Sequence, residues 1–396
     1  MMFYWEQRVG TDTLYFGDSD TYWVLGQNIA EGKPYLYHGN AVHRMPGYPA
    51  LLAPLFLLFD GKPPVIAARI ENVVIGSLTV LAVAWLAFLL FKNRTLALLA
   101  GWFTALDPLN IVMNVLVLSE TPFCLTMILQ LCFWIKSIKN TTGKEVGTAV
   151  SLISSGLFAA AAVYCRPSWL YFVPFAAVLG IVLSPQKIAR IFISGFLITQ
   201  IGALCLVPWW IRNEHLTGHF VSTTLQAGAS LYDGLNPDAD GGSDMKFAEE
   251  FRNAEMKLTP DIKPQTLEYK LNQTLRAAAV NWAVKHPAAV WKLVRTKFFR
   301  FWNFVPNEPS FSGIAVRLAV FCTYTPVLLL GLIGVVRSFR KDFTVQLLWV
   351  PAVYLTLLHI VFVSSIRYRA PVMLCFAVLA AWTVVNVNSP HHKRRE

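Results

Sequence analysis

The chain has 396 residues, 55% of them hydrophobic and 14% charged, with a mean hydropathy of +0.48. Soluble domains carry about a quarter charged residues, so this composition excludes an ordinary soluble domain and points to the lipid bilayer. The net charge of +11 does not argue for nucleic acid, because most basic residues fall in short loops between apolar segments and no nucleic-acid-binding motif accompanies them.

Residues 1–65 are polar and aromatic and read as a first extracytoplasmic loop. Within them Pro46, Pro49 and Pro54 break up a short apolar stretch ending near Phe59. It is too short to span a bilayer and suits a helix lying along the interface. Apolar segments long enough to cross follow at roughly 66–91, 96–113, 121–137, 147–164, 168–184, 189–208, 314–336, 343–363 and 370–388. Between the sixth and seventh lies a large loop, 209–313. Its part from Lys246 to Phe304 reads as helical, with a break at His286–Pro287. There Trp291, Phe298, Phe299, Phe301 and Trp302 alternate with Lys292, Arg295, Lys297 and Arg300, the pattern of an interfacial helix with snorkelling basic side chains. The expected fold is therefore all-α, a polytopic transmembrane helix bundle with extracytoplasmic loops that carry interfacial helices. It comprises the first loop (1–65), spans (66–208), the large loop (209–313), C-terminal spans (314–388) and a cytoplasmic tail (389–396).

Lys and Arg in the short loops set the orientation. Lys92 and Arg94, Lys136, Lys139 and Lys144, Lys187 and Arg190, Arg337, Arg340 and Lys341, and Lys393, Arg394 and Arg395 all follow alternate spans. These loops are placed in the cytoplasm, which puts residues 1–65 and the large loop on the other side of a cell membrane. A translocated N-terminus with no span before it implies either a first span absent from this sequence, the reading we prefer, or an unusual translocation. The 13 Trp and 27 Phe suit aromatic belts at the two interfaces. None of the six cysteines forms a CxxC pair, and they read as small buried apolar residues.

Polar and ionisable residues gather at the extracytoplasmic ends of the spans. In Gly17-Asp18-Ser19-Asp20-Thr21-Tyr22 a carboxylate is placed either to act as a general base or to cap a helix, and Asp18 and Tyr22 share a helix face. In His43-Arg44-Met45-Pro46-Gly47-Tyr48-Pro49 a rigid turn holds Arg44 for a phosphate or for lipid headgroups. Arg212 in Pro208-Trp209-Trp210-Ile211-Arg212 either neutralises a phosphate or snorkels from a Trp belt. Arg367 and Arg369 open the last span from outside, against the usual positive-inside bias. Glu120, at the outer start of another span, is either functional or a helix-start acid.

In their order and placement these clusters resemble the type-C glycosyltransferase superfamily, in particular the bacterial branch of glycosyltransferase family 39. That branch holds dolichyl-phosphate-mannose protein mannosyltransferase-like proteins and the lipid A aminoarabinose transferase. The resemblance is carried by GDSDTY (17–22), RMPGYP (44–49), ARIENVVIGS (68–77), LSETPF (118–123), RPSWLYFVP (166–174), PWWIRN (208–213), HPAAVWKLVRTKFFRFW (286–302) and RYRAP (367–371). It implies a membrane glycosyltransferase that moves a sugar from a polyprenyl-phosphate donor to a lipid, glycan or protein acceptor, with membrane lipids as further partners and no nucleic acid. It assigns Asp18 as catalytic base and, less directly, Glu120 as a second catalytic acid. Asp20, Tyr22, Arg44, Tyr48, Arg212, Arg367 and Arg369 fall to substrate binding. The chain has Asp-Ser where the family often has Asp-Glu, so Asp20 is a candidate substitute for the missing neighbour. No metal-ligand cluster is legible, although some members of the superfamily use a divalent cation. The alternative is a transporter or flippase of lipid-linked sugars, which would place its charges deep within the spans rather than at one rim.

Overall fold

A computed structural model describes residues 12–15, 17–140, 145–259, 263–305 and 313–387. The predicted tail at 389–396, with Lys393, Arg394 and Arg395, lies outside them. The described residues form helices and loops and no strand, apart from one isolated bridge between Tyr37 and Asn40.

Two short helices come first, α1 (Gly17–Ala30) and α2 (Gly47–Leu58), packed on each other. The turn before α2 needs Gly47, because a Cβ there would lie 2.6 Å from the Tyr164 carbonyl. Then follow α3 (Val65–Phe91), α4 (Arg94–Ala105), α5 (Pro108–Val115), α6 (Glu120–Lys139), α7 (Glu145–Cys165), α8 (Phe172–Leu183) and α9 (Ile188–Thr217). The large loop holds α10 (Ala227–Gly234), α11 (Phe247–Leu258), α12 (Pro264–Lys285) and α13 (Pro287–Phe301). The chain ends with α14 (Ile314–Ser338), α15 (Phe343–Gln346), α16 (Val350–Val361) and α17 (Ala370–Val387).

Six helices are long and apolar enough to cross a membrane, α3, α6, α7, α9, α14 and α17, and each falls where a span is expected. The other three expected spans are interrupted, and of these only α4 with α5 is together long and apolar enough to cross. The segment predicted at 96–113 is α4 and α5, bent by 57°. Pro108 lacks the N–H that would continue α4, and Asp107 caps α5 by accepting from Leu109 N at 3.1 Å. The segment at 168–184 is a 3₁₀ turn, Pro167–Trp169, followed by α8, and that at 343–363 is α15 and α16. At 12 residues, α8 and α16 are each about 18 Å long, short of a hydrocarbon layer of about 30 Å. They pack together through Tyr354 against Trp169, Phe172 and Phe175. The expected break at His286–Pro287 separates α12 from α13, and the apolar stretch before Phe59 is α2.

The centre of the bundle is α6 and α17, whose apolar windows are 72% and 83% buried. The corresponding windows of α9 and α14 are 28% buried, so these helices form the outer ring with apolar faces suited to lipid. Helix α6 packs on α3 and α7, and α17 on α4 and α14. One end of this bundle carries the start of α6, the end of α7 and the start of α17. The helices of the large loop lie over that end, α10 against α12 and α13 against α16. The other end carries basic loops, where Lys187 pairs with Asp342 at 2.9 Å and Lys139 donates to the carbonyls of Leu89 and Leu90.

Candidate functional site

Five chain segments deliver charged side chains to the end covered by the large loop. Asp18 stands in the first turn of α1, where an acid favours the helix N-terminus. Arg44 sits in the turn before α2, which Tyr35 fixes by donating its hydroxyl to the Met45 carbonyl at 3.2 Å. Glu120 is the first residue of α6 and Arg166 immediately follows α7. Arg367 lies in a 3₁₀ turn, Ile366–Arg369, capped by the Ser365 side chain.

These five side chains form one ionic network. Asp18 Oδ1 pairs with Arg44 at 2.5 Å and its Oδ2 with Arg367 at 2.9 Å. The same Arg367 meets Glu120 Oε1 through Nε at 2.5 Å, and Arg166 meets that oxygen at 2.6 Å. Arg44 also donates to Gln226 on the large loop. Three guanidiniums against two carboxylates leave one positive charge in excess. Burial alone would raise the Asp18 carboxyl, but Arg44 and Arg367 beside it hold it well below the usual carboxylate range. The Asp18 side chain is 29% exposed and that of Glu120 2%, so Asp18 is the more accessible carboxylate.

The network forms part of the lining of a cavity of about 2370 Å³. Asp18, Tyr22, Arg44, Arg166 and Arg367 line it from the bundle side, and residues of α10 and the loop after it from the other. Tyr22 shares a hydrogen bond of 3.0 Å with Ser119 and packs edge-on against Tyr48 at 5.3 Å between ring centres. His43 lines the same cavity, and burial and the nearby Arg44 push its imidazole down to about 3, so it is neutral at physiological pH. Glu120 lines a second, smaller cavity of about 370 Å³ beside α3, α5 and α6.

The structure thus brings Asp18, Tyr22, Arg44, Glu120 and Arg367 together. The other residues expected at the site lie elsewhere. Asp20 is exposed and accepts from the Tyr37 hydroxyl at 2.9 Å. Tyr48 is buried behind Tyr22 and accepts from Asn72 at 2.9 Å. Arg212 donates to the Ala41 carbonyl at 3.0 Å and stacks over Trp209 at 4.5 Å. Arg369 donates to the Phe301 carbonyl at 3.1 Å and stacks over Tyr324 at 3.7 Å. Sequence reasoning gave no role to Arg166, Ser119, His43 or Gln226. For Arg166 a signal was present: a lone arginine directly after a span, on the side that the basic-loop pattern reads as extracytoplasmic, where positive charge is expected to be rare.

The residues present do not make a ready seat for a divalent cation. Asp18 and Glu120 are each engaged by guanidiniums, and among the described residues no three His, Cys, Asp or Glu side chains gather as a ligand set.

Residues 56–224, less than half of the chain, match the profile of the family described as dolichyl-phosphate-mannose-protein mannosyltransferase. No curated protein sequence matches the chain. Among solved structures it superposes on the archaeal oligosaccharyltransferase AglB from Archaeoglobus fulgidus, in complex with an inhibitory peptide and a dolichol-phosphate. The TM-score is 0.60 at 12% identity, over 93% of this chain and 46% of that one. The Archaeoglobus fulgidus oligosaccharyltransferase tethered to an acceptor peptide gives a TM-score of 0.59 at 13% identity, over 95% of this chain and 46% of that one. ArnT from Cupriavidus metallidurans bound to undecaprenyl phosphate gives 0.47 at 13% identity, over 96% and 75%, and adds nothing to the assignment. The chain therefore spans about half the length of the oligosaccharyltransferases it matches. Its fold is that of the polytopic type-C glycosyltransferases, as the resemblance drawn from the sequence implies.

Proposed function

We propose that this multi-pass membrane protein is a glycosyltransferase that moves a sugar from a polyprenyl-phosphate donor to an acceptor hydroxyl on the extracytoplasmic side. One observation carries this reading: a carboxylate shared between two arginines lines an open cavity at one end of the bundle, inside a network with one positive charge in excess. A phosphate is the natural complement of such a charge, and guanidinium is the side chain best shaped to grip it. The matched family and the oligosaccharyltransferase fold support the same class of chemistry.

The reaction follows from the arrangement. The donor phosphate enters at Arg44 and Arg367 and competes with Asp18 for their charge. As the arginines turn to the phosphate, the influence that depresses the Asp18 carboxyl weakens and Asp18 becomes a stronger base. The acceptor oxygen gives its proton to Asp18 and attacks the anomeric carbon. The bond from that carbon to the phosphate oxygen breaks, the configuration inverts, and polyprenyl phosphate leaves with its new charge on the guanidiniums. Preorganised positive charge at the leaving group is the larger contribution to rate. Glu120, nearly inaccessible, holds Arg166 and Arg367 in place rather than meeting the acceptor. The transporter alternative gains nothing from charges gathered at one rim.

The test is incubation of the protein, reconstituted in vesicles, with a panel of radiolabelled polyprenyl-phosphate sugars and candidate lipid, glycan and peptide acceptors. Label should pass covalently to an acceptor. Label that crosses the bilayer still joined to its carrier would point to a flippase instead.

A further inference from the structure

Lys297, on α13, is fully buried at 0% exposure. An ammonium out of water is costly unless hydrogen-bonded, and burial pushes this one down to about 8. Its Nζ donates to the Gly234 and Val361 carbonyls, both at 2.8 Å. Gly234 is the last residue of α10 and Val361 the last of α16. Terminal carbonyls of a helix lack partners within it and carry the negative end of its dipole. One ammonium therefore satisfies two helix ends from distant parts of the chain.

The two ends meet backbone to backbone. A Cβ on Gly234 would lie 2.8 Å from the Phe362 carbonyl oxygen, and one on Gly241 3.2 Å from Lys297 Cγ. The Ser364 N–H donates to the Gly241 carbonyl at 2.9 Å. On one side this junction leads through Ser365 to Arg367. On the other it leads to Asp233, which accepts from the Ser243 hydroxyl at 2.6 Å and the Asp244 N–H at 2.8 Å and so folds the loop lining the large cavity.

We propose that Lys297 is a positioning residue that clamps the ends of α10 and α16 and thereby sets Arg367 in register with the cavity wall of the large loop. Lys297 touches no reacting group and acts through Arg367. The proposal rests on the lipid-phosphate reading above, in which Arg367 grips the carrier.

The experiment is a double-mutant cycle on the full chain in nanodiscs, read by the affinity for polyprenyl phosphate and by hydrogen exchange. Lys297→Met, of similar length, should weaken binding roughly tenfold when Arg367 is present and less than about twofold in an Arg367→Ala background. Amides in 234–244 and in 361–367 should both exchange faster, while those of α6 do not. Equal weakening in both backgrounds, or faster exchange in one segment without the other, overturns the clamp. A wild-type protein that binds no polyprenyl phosphate overturns the lipid-phosphate reading, and hydrogen exchange then decides the clamp alone. Should Lys297→Met not accumulate, Lys297→Gln, which keeps an amide donor for one of the carbonyls, is carried through the same cycle.

Discussion

The Asp18 carboxylate is shared by Arg44 and Arg367 at the cavity, whereas Asp20 is exposed and meets the Tyr37 hydroxyl. Asp18→Asn removes the proposed base while nearly preserving shape, so turnover should fall by roughly 10²–10⁴-fold with carrier binding retained. Asp20→Asn should leave transfer near normal, and the paired rates decide which of the two is the base. The arginines divide in the same way. Arg44→Ala or Arg367→Ala should cost on the order of 1.5–3 kcal/mol of carrier-phosphate affinity. Arg212→Ala and Arg369→Ala remove donors to backbone carbonyls and should lower thermal stability in detergent with carrier affinity unchanged. A carrier affinity that fell equally in all four variants would dissolve this division. The sequence made Asp18, Arg44, Glu120 and Arg367 legible because each stands in a short motif at the end of a span or in the first loop. It could not separate Arg367 from Arg369. Both sit in the 3₁₀ turn just before α17, and only packing decides which side chain turns to a carboxylate and which to the Phe301 carbonyl.

At the level of elements, long apolar runs made six spans readable because periodicity hardly matters when every face is buried in protein or lipid. The three segments read as further spans carry prolines whose effect depends on what can satisfy the freed backbone. Asp107 does so between α4 and α5, and the chain bends there instead of continuing. Close helix contacts were not legible either, since a glycine at a near-contact looks like any other glycine. Gly47 is such a case, with its missing Cβ 2.6 Å from the Tyr164 backbone. Gly47→Val should force α2 and α7 apart and cost about 2–4 kcal/mol. Thermal unfolding in detergent measures it, and an unchanged midpoint would mean that the contact yields freely. Because Arg44 lies just before α2, transfer should fall together with stability.

For the molecule as a whole, the two ends of the bundle differ in kind. One holds the ionic network under the helices of the large loop, and the other holds Lys92, Lys139 and Lys187. In a cysteine-free background, a single cysteine at Ser243 should react with an impermeant thiol reagent on intact cells, and one at Asn93 should react after the membrane is opened. The reverse pattern would invert the orientation and move the proposed chemistry to the cytoplasm.

The pairing of Arg44 and Arg367 around one anion also bears on what limits the cycle. A donor phosphodiester carries one negative charge, but the polyprenyl phosphate left behind is a monoester with a charge of about −1.5 to −2. In the proposed reaction the same two guanidiniums that meet the donor would therefore hold the spent carrier more tightly. On that reading, discharge of the carrier into the bilayer would govern the steady state, and spent carrier would compete with fresh donor. Rapid mixing of enzyme and donor should give a first turnover faster than those that follow, with added polyprenyl phosphate slowing the later turnovers, and a linear trace from the first turnover would show that the sugar-transfer step sets the pace instead.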